Sequence, residues 1–226
     1  MYQCASLLKR ACHDFHVQGR YYLISIYQLK PRFQNLLRPL VKRLYDRGIT
    51  ANQVTLAACA VSILVGAIAA LSIPHTWVFA LIPAWMILRM ALNAIDGMLA
   101  REFGQKSQLG AYLNELTDVI ADSALLLPFA LLPGVSLWLV VLVTLLAMLT
   151  EYAGVMGPMI GASRRYDGPM GKSDRALVFG LLGAGVALGW LAPLWINIVL
   201  AVVSALLVYT LVNRIRHGLA ETRPHQ

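Results

Sequence analysis

The chain has 226 residues, 58% of them hydrophobic and 13% charged, with a net charge of +8. This balance excludes an ordinary soluble domain and predicts an all-α polytopic membrane protein. The basic excess does not point to nucleic acid, because the Lys and Arg residues flank apolar segments instead of gathering in one patch.

Residues 1–30 are mixed and carry little signal. In 31–47 (PRFQNLLRPLVKRLYDR), Phe33, Leu36, Leu37, Leu40, Val41 and Leu44 follow a helical period against Arg32, Arg38, Lys42, Arg43 and Arg47. That pattern predicts an interfacial amphipathic helix on the cytoplasmic leaflet. Residues 1–47 therefore read as a cytoplasmic N-terminal segment. Gly48-Ile49-Thr50 breaks the pattern, with Thr50 a candidate N-cap. Apolar stretches then recur near 51–73, 77–95, 111–132, 136–160, 175–192 and 194–213. Each is long enough to cross a hydrocarbon core of about 30 Å, so six transmembrane helices are expected within 48–216, followed by a tail over 217–226.

The links near 73–76, 132–136 and 190–195 carry no Lys or Arg. All basic residues thus fall on one side, which the positive-inside rule makes the cytoplasm, with both termini there and the chain in the inner membrane. Trp77, Trp138, Trp190 and Trp195 sit at the neutral ends of spans, as interfacial belt residues do. Cys4, Cys12 and Cys59 form no disulfide framework, and the five His residues show no metal-like spacing. The first 20 residues lack an apolar core segment, so the first span is expected to target the chain. The small-residue run Gly180–Gly189 suits close helix packing and offers a face for a homodimer.

The chemistry concentrates between Asn93 and Asp122. Asn93, Asp96, Gly97 and Arg101 form a polar strip at the cytoplasmic end of the second span. Gly110, Asn114, Asp118 and Asp122 recur every fourth residue along the third. A carboxylate at membrane depth costs several kcal/mol, so such a group is a functional site by default. Facing Asp and Asn oxygens suit a hard divalent ion, with Gly97 and Gly110 leaving room for a phosphate. The bland alternative is a buried polar network with Arg89 and Arg101, which Asp122 fits best. Glu151 reads as a paired acid near the interface. Arg164, Arg165, Lys172 and Arg175 form a basic cluster that either sets topology or holds an anion.

Asn93-x2-Asp96-Gly97-x2-Ala100-Arg101-x8-Gly110-x3-Asn114-x3-Asp118 resembles the signature of the CDP-alcohol phosphatidyltransferase family, with Asn at two positions that are normally Asp. Thr50-Ala51-Asn52-Gln53-Val54-Thr55 is similar to the family's entry to its first span, with Ala51 in place of Pro. Gly171-Lys172-Ser173-Asp174-Arg175 resembles the basic segment opening its fifth span. The resemblance implies transfer of a phosphatidyl group from a CDP-linked donor such as CDP-diacylglycerol to an alcohol acceptor, with release of CMP. It implies Mg²⁺ or Mn²⁺ held by Asp96, Asp118, Asn93 and Asn114, with Asp122 a candidate substitute ligand and Asp118 the catalytic base. It further implies donor nucleotide and phosphate contacts from Thr55, Gly97, Ala100, Arg101 and Gly110, and acceptor contacts from Lys172, Arg175 and Arg164. An amide oxygen can coordinate but brings no charge, so the two Asn residues predict weaker metal binding. Two other classes stay open: a degenerate relative that binds nucleotide-lipid or metal without turnover, and a small cation-coupled transporter using the buried acids.

Overall fold

The computed structural model describes residues 26–222, with side chains from residue 33 onward. Every regular element among the described residues is helical. In chain order these are α1 (Ile26–Asp46), α2 (Ala51–Leu71), α3 (Leu81–Glu102), α4 (Gln108–Leu126), α5 (Leu137–Met156), α6 (Lys172–Ala187) and α7 (Pro193–Glu221). Short 3₁₀ turns extend α3 backwards and α4 and α5 forwards.

The helix starts follow local chemistry. Thr50 caps α2 through a reciprocal box: the Gln53 amide N–H donates to Thr50 Oγ1 (3.3 Å), and Thr50 N–H donates to Gln53 Oε1 (2.9 Å). Ser107 caps α4 by accepting from Gly110 N–H at 2.9 Å. In the first turn of α6, Asp174 accepts the N–H of Gly171 at 3.0 Å. Pro193 opens α7, where no N–H is needed.

Four helical segments are long and apolar enough to cross a membrane: Ala51–Leu71, Thr76–Glu102, Leu137–Ile160 and Pro193–Glu221. The other two of the six expected spans, α4 and α6, form as helices without meeting that measure. α4 carries Glu115, Asp118 and Asp122, and α6 is only 16 residues long. Both pack against the longer helices, α4 on α2 and α6 on α3, while α5 lies against α7.

The core is continuous, running through Phe79, Phe129, Leu125, Val143, Phe179 and Leu200. Phe79 and Phe129 meet edge to face at 5.2 Å. α2 and α4 approach so closely that a Cβ on Gly66 would stand 2.1 Å from the carbonyl oxygen of Ala124. Gly180 and Gly183 lie against Pro83 of α3.

The two ends of the bundle differ. At one end the links are neutral, and Asn197 in the first turns of α7 holds the link before α5 by accepting from Ser136 N–H (2.8 Å) and donating to Gly134 O (3.0 Å). Trp77, Trp138, Trp190 and Trp195 are all exposed there. At the other end lie the charged links. There Gln105 clamps the start of α2, accepting from Ala51 N–H at 2.7 Å and donating to Ile49 O at 3.4 Å.

Candidate active site

A cleft of about 380 Å³ opens at the charged end, where α2, α3 and α4 converge. Its walls hold Thr55 from α2, Asn93, Asp96, Gly97, Ala100 and Arg101 from α3, and Gly110 and Asn114 from α4, with Arg164 reaching in from the α5–α6 link. The three helices bring these residues together because α2 packs between α3 and α4. Thr55 Oγ1 donates to Asp96 Oδ2 at 2.8 Å, joining two helices at the cleft floor. Asp96 is only 6% exposed. The glycines keep the walls low: a Cβ on Gly110 would lie 2.8 Å from Asn52 Oδ1, and one on Gly97 would lie 2.7 Å from the Arg101 guanidinium folded over it.

Behind the cleft runs a chain of ion pairs. Arg89 bridges Asp118 Oδ1 (3.2 Å) and Asp122 Oδ1 (2.5 Å). Lys172 Nζ contacts the other oxygen of Asp118. Arg175 bridges Asp122 Oδ2 and Glu151 Oε1, both at 2.9 Å. Arg164 forks onto Glu115 and approaches Glu151 Oε2 at 3.8 Å, and Arg214 lies 3.6 Å from Glu151 Oε1. The carboxylates Glu115, Asp118, Asp122 and Glu151 therefore meet five cations, a net charge of +1. Asp96 is met by the Thr55 hydroxyl and forms no ion pair within 4 Å among the described residues.

Of the residues singled out from sequence, Asp118, Asp122, Glu151, Lys172, Arg175 and Arg164 stand in this network, and Arg164 also lines the cleft with Thr55, Asn93, Asp96, Gly97, Ala100, Arg101, Gly110 and Asn114. Arg175 is 2% exposed, whereas the side chains of Lys172 and Arg164 are about a third exposed (34% and 30%). The Nε atoms of Arg164 and Arg175 are buried without a hydrogen-bond partner. Arg164 also lies over the Tyr166 ring at 4.7 Å.

Three contributors were not among the singled-out site residues. Arg89 was visible as a lone cation inside an apolar span, which is a signal in itself. Arg214 resembled ordinary boundary charge, and Gln105 gave no signal. Next to the basic cluster, Arg165 chelates Asp167 at 2.8 and 3.0 Å, and that pairing holds the Asp167 carboxyl down to about 2.

The donor chemistry sets what this site can hold. Asp96, Asn93 and Asn114 present oxygens to one cleft, and Asp118 lies one turn beyond Asn114. No three Asp, Glu, His or Cys side chains form a metal-like group among the described residues. The set fits a hard divalent ion, with amide oxygens completing a shell that two carboxylates begin.

Comparison with known proteins bears on the family and the fold. The model of the CDP-alcohol phosphatidyltransferase family matches residues 48–166. The chain is 48% identical to the inner membrane protein YnbA of Escherichia coli K12 over 85% of its own length and 96% of that protein's. It is 28% identical to the phosphatidylinositol phosphate synthase of Mycolicibacterium smegmatis, covering 81% of this chain and 83% of that one. Its fold matches the Mycobacterium tuberculosis phosphatidylinositol phosphate synthase with CDP-DAG bound, at a TM-score of 0.66 and 19% identity, covering 80% and 92% of the two chains. The same enzyme in complex with manganese and citrate matches at a TM-score of 0.64 and 18% identity, over 80% of this chain and 88% of that one.

Proposed function

Because the chain belongs to the CDP-alcohol phosphatidyltransferase family, enzymes of membrane phospholipid biosynthesis, we propose that it moves a phosphatidyl or related phospho-alcohol group from a CDP-linked donor to an alcohol acceptor and releases CMP. One observation carries this reading. A single cleft gathers Thr55, Asp96, Gly97, Ala100, Arg101 and Gly110 from three helices, and two of them are joined by a hydrogen bond. CDP-diacylglycerol is the proposed donor, and Arg101, one of three cations lining the cleft with Lys106 and Arg164, is proposed to meet its diphosphate. Asp118 is the proposed base for the acceptor hydroxyl, whose oxygen attacks the β-phosphorus as CMP departs. Asp96, Asn93, Asn114 and Asp118 would hold Mg²⁺ or Mn²⁺, with Asp122 behind them. That ion, when bound, supplies positive charge to the diphosphate and to the departing CMP oxygen.

The acceptor is proposed to be an alcohol that itself carries a phosphate. Lys172 and Arg164 are partly exposed, and Lys172 has three N–H donors, enough to hold Asp118 and a phosphate together. Arg175 supports that site from below through Asp122 and Glu151. The phosphatidylinositol phosphate synthases among the relatives are consistent with such an acceptor.

In the membrane, we place all six of α2 to α7 across the bilayer and α1 on the cytoplasmic leaflet, with both termini and the cleft facing the cytosol. Residues 1–47 then form the N-terminal segment, 48–216 the transferase domain and 217–226 the tail. A reporter fused after Gln226 should read as cytoplasmic; a periplasmic signal contradicts this topology.

The test of activity is CMP release by the purified protein with CDP-diacylglycerol, Mg²⁺ or Mn²⁺ and a panel of free and phosphorylated alcohols. The amides Asn93 and Asn114 favour a second reading, a relative that binds donor without turnover. Donor binding without CMP release across the panel would select that reading.

A further inference from the structure

Lys172 stands where a charge count makes it more than an acceptor ligand. Its ammonium contacts Asp118 Oδ2, and Arg89 holds Asp118 Oδ1 at 3.2 Å. Both oxygens of Asp118 are thus already met by cations. Asn93 and Asn114 contribute oxygens but no charge. Asp96 makes no ion pair within 4 Å among the described residues, and Lys172 acts on it only from farther off. Two divalent ions would place +4 against Asp96 and an Asp118 that is already neutralised, and that excess repels strongly in a site walled from bulk water. One ion on Asp96, the amides and Asp118, with Lys172 supplying the second positive centre on that same carboxylate, brings the charges much closer to balance.

We propose that this chain takes one divalent ion, not two, and that the Lys172 ammonium on Asp118 fills the place of a second. Lys172, at the start of α6, lines a second opening together with Asn93 and Arg89, and Asn93 also lines the cleft. This inference rests on the proposed transferase reading for the meaning of the site, but ion counting tests it independently of turnover.

The experiment is Mn²⁺ titration of the detergent-solubilised full chain, with free Mn²⁺ followed by electron paramagnetic resonance. The wild-type protein should bind one Mn²⁺ per chain. Lys172→Met removes the competing charge and should tighten Mn²⁺ binding about tenfold or more, because a unit charge a few ångströms away in a partly shielded site is worth at least that factor. Lys172→Arg keeps the charge and should bind like the wild type, which separates charge from misfolding. Two ions per wild-type chain would overturn the proposal, as would no binding at all, or Lys172→Met binding unchanged or more weakly while Lys172→Arg behaves normally. CMP release from CDP-diacylglycerol, measured on the same preparations, reports on the transferase reading separately: turnover with two bound ions would reject only the present inference.

Discussion

Asp96 and Asp122 are both carboxylates in apolar helices, yet the structure answers them in opposite ways. Asp96 lies in an open cleft, held by the Thr55 hydroxyl. Asp122 lies deeper, gripped by Arg89 and Arg175 with both oxygens used. A carboxylate left with spare acceptor capacity beside a cavity is positioned to bind something. One saturated by guanidinium groups holds the helices around it. On the proposed function, the polar constellation divides into a working cleft and a supporting network, with Asp118 at the border, touched by the network but one turn from Asn114 in the cleft.

Removing the border and cleft acids should have the largest effect on chemistry. Asp118→Ala should lower CMP release by about 10³-fold, the usual scale for losing a positioned proton acceptor, and Asp96→Ala should lower it comparably. Neither should unfold the protein. Asp96→Ala gives up one hydrogen bond of about 1 kcal/mol. Thermal unfolding in detergent checks that distinction, and a collapse of Asp96→Ala would blur the proposed division.

Asp122→Ala should show the reverse pattern. It takes one carboxylate from each of two buried guanidinium groups, leaving Arg89 with Asp118 and Arg175 with Glu151, and breaking buried pairs costs up to about 3–5 kcal/mol of stability. Asp122→Asn, which keeps part of the hydrogen bonding, should lose less CMP release than Asp118→Asn. Equal loss in a folded protein would move Asp122 into the working half.

Smaller effects test the cleft walls. Gly110→Val would crowd Asn52 and Ser107, which already stand 2.8 and 3.0 Å from a Cβ there. Donor binding should weaken about tenfold, the scale of 1.4 kcal/mol, with stability little changed. A loss of stability without loss of donor affinity would place Gly110 in the scaffold instead.

Asn93→Asp combined with Asn114→Asp should tighten Mg²⁺ or Mn²⁺ binding by a similar factor, since two charges join an existing oxygen set. Unchanged affinity in the folded double variant would remove the amides from the metal shell.

Much of this division was legible in the sequence. The fourfold spacing of Gly110, Asn114 and Asp118 set one face of α4, and the capped start at Thr50 set α2. Asp122 already fitted the buried-network alternative with Arg89, because it lies a turn deeper than Asp118. What the sequence left open was which cation met which acid. Arg175 and Arg164 belonged to one basic cluster by position, yet one is 2% exposed beneath Asp122 while the other forks onto Glu115 at the cleft. Pairings across five helices depend on helix rotation and packing depth, and local periodicity does not fix either. Gln105 escaped notice for the same reason, since its partners at Ile49 and Ala51 are more than fifty residues away.

The account's central claim is that the cleft around Asp96, and not the Asp122 network, binds the CDP-linked donor. Equilibrium binding of a CDP-diacylglycerol analogue in Mn²⁺ buffer, compared among wild type, Asp96→Asn and Asp122→Asn, tests it most directly. The account predicts at least tenfold weaker binding for Asp96→Asn and near wild-type binding for folded Asp122→Asn. Wild-type affinity in Asp96→Asn, with loss confined to Asp122→Asn, would contradict it.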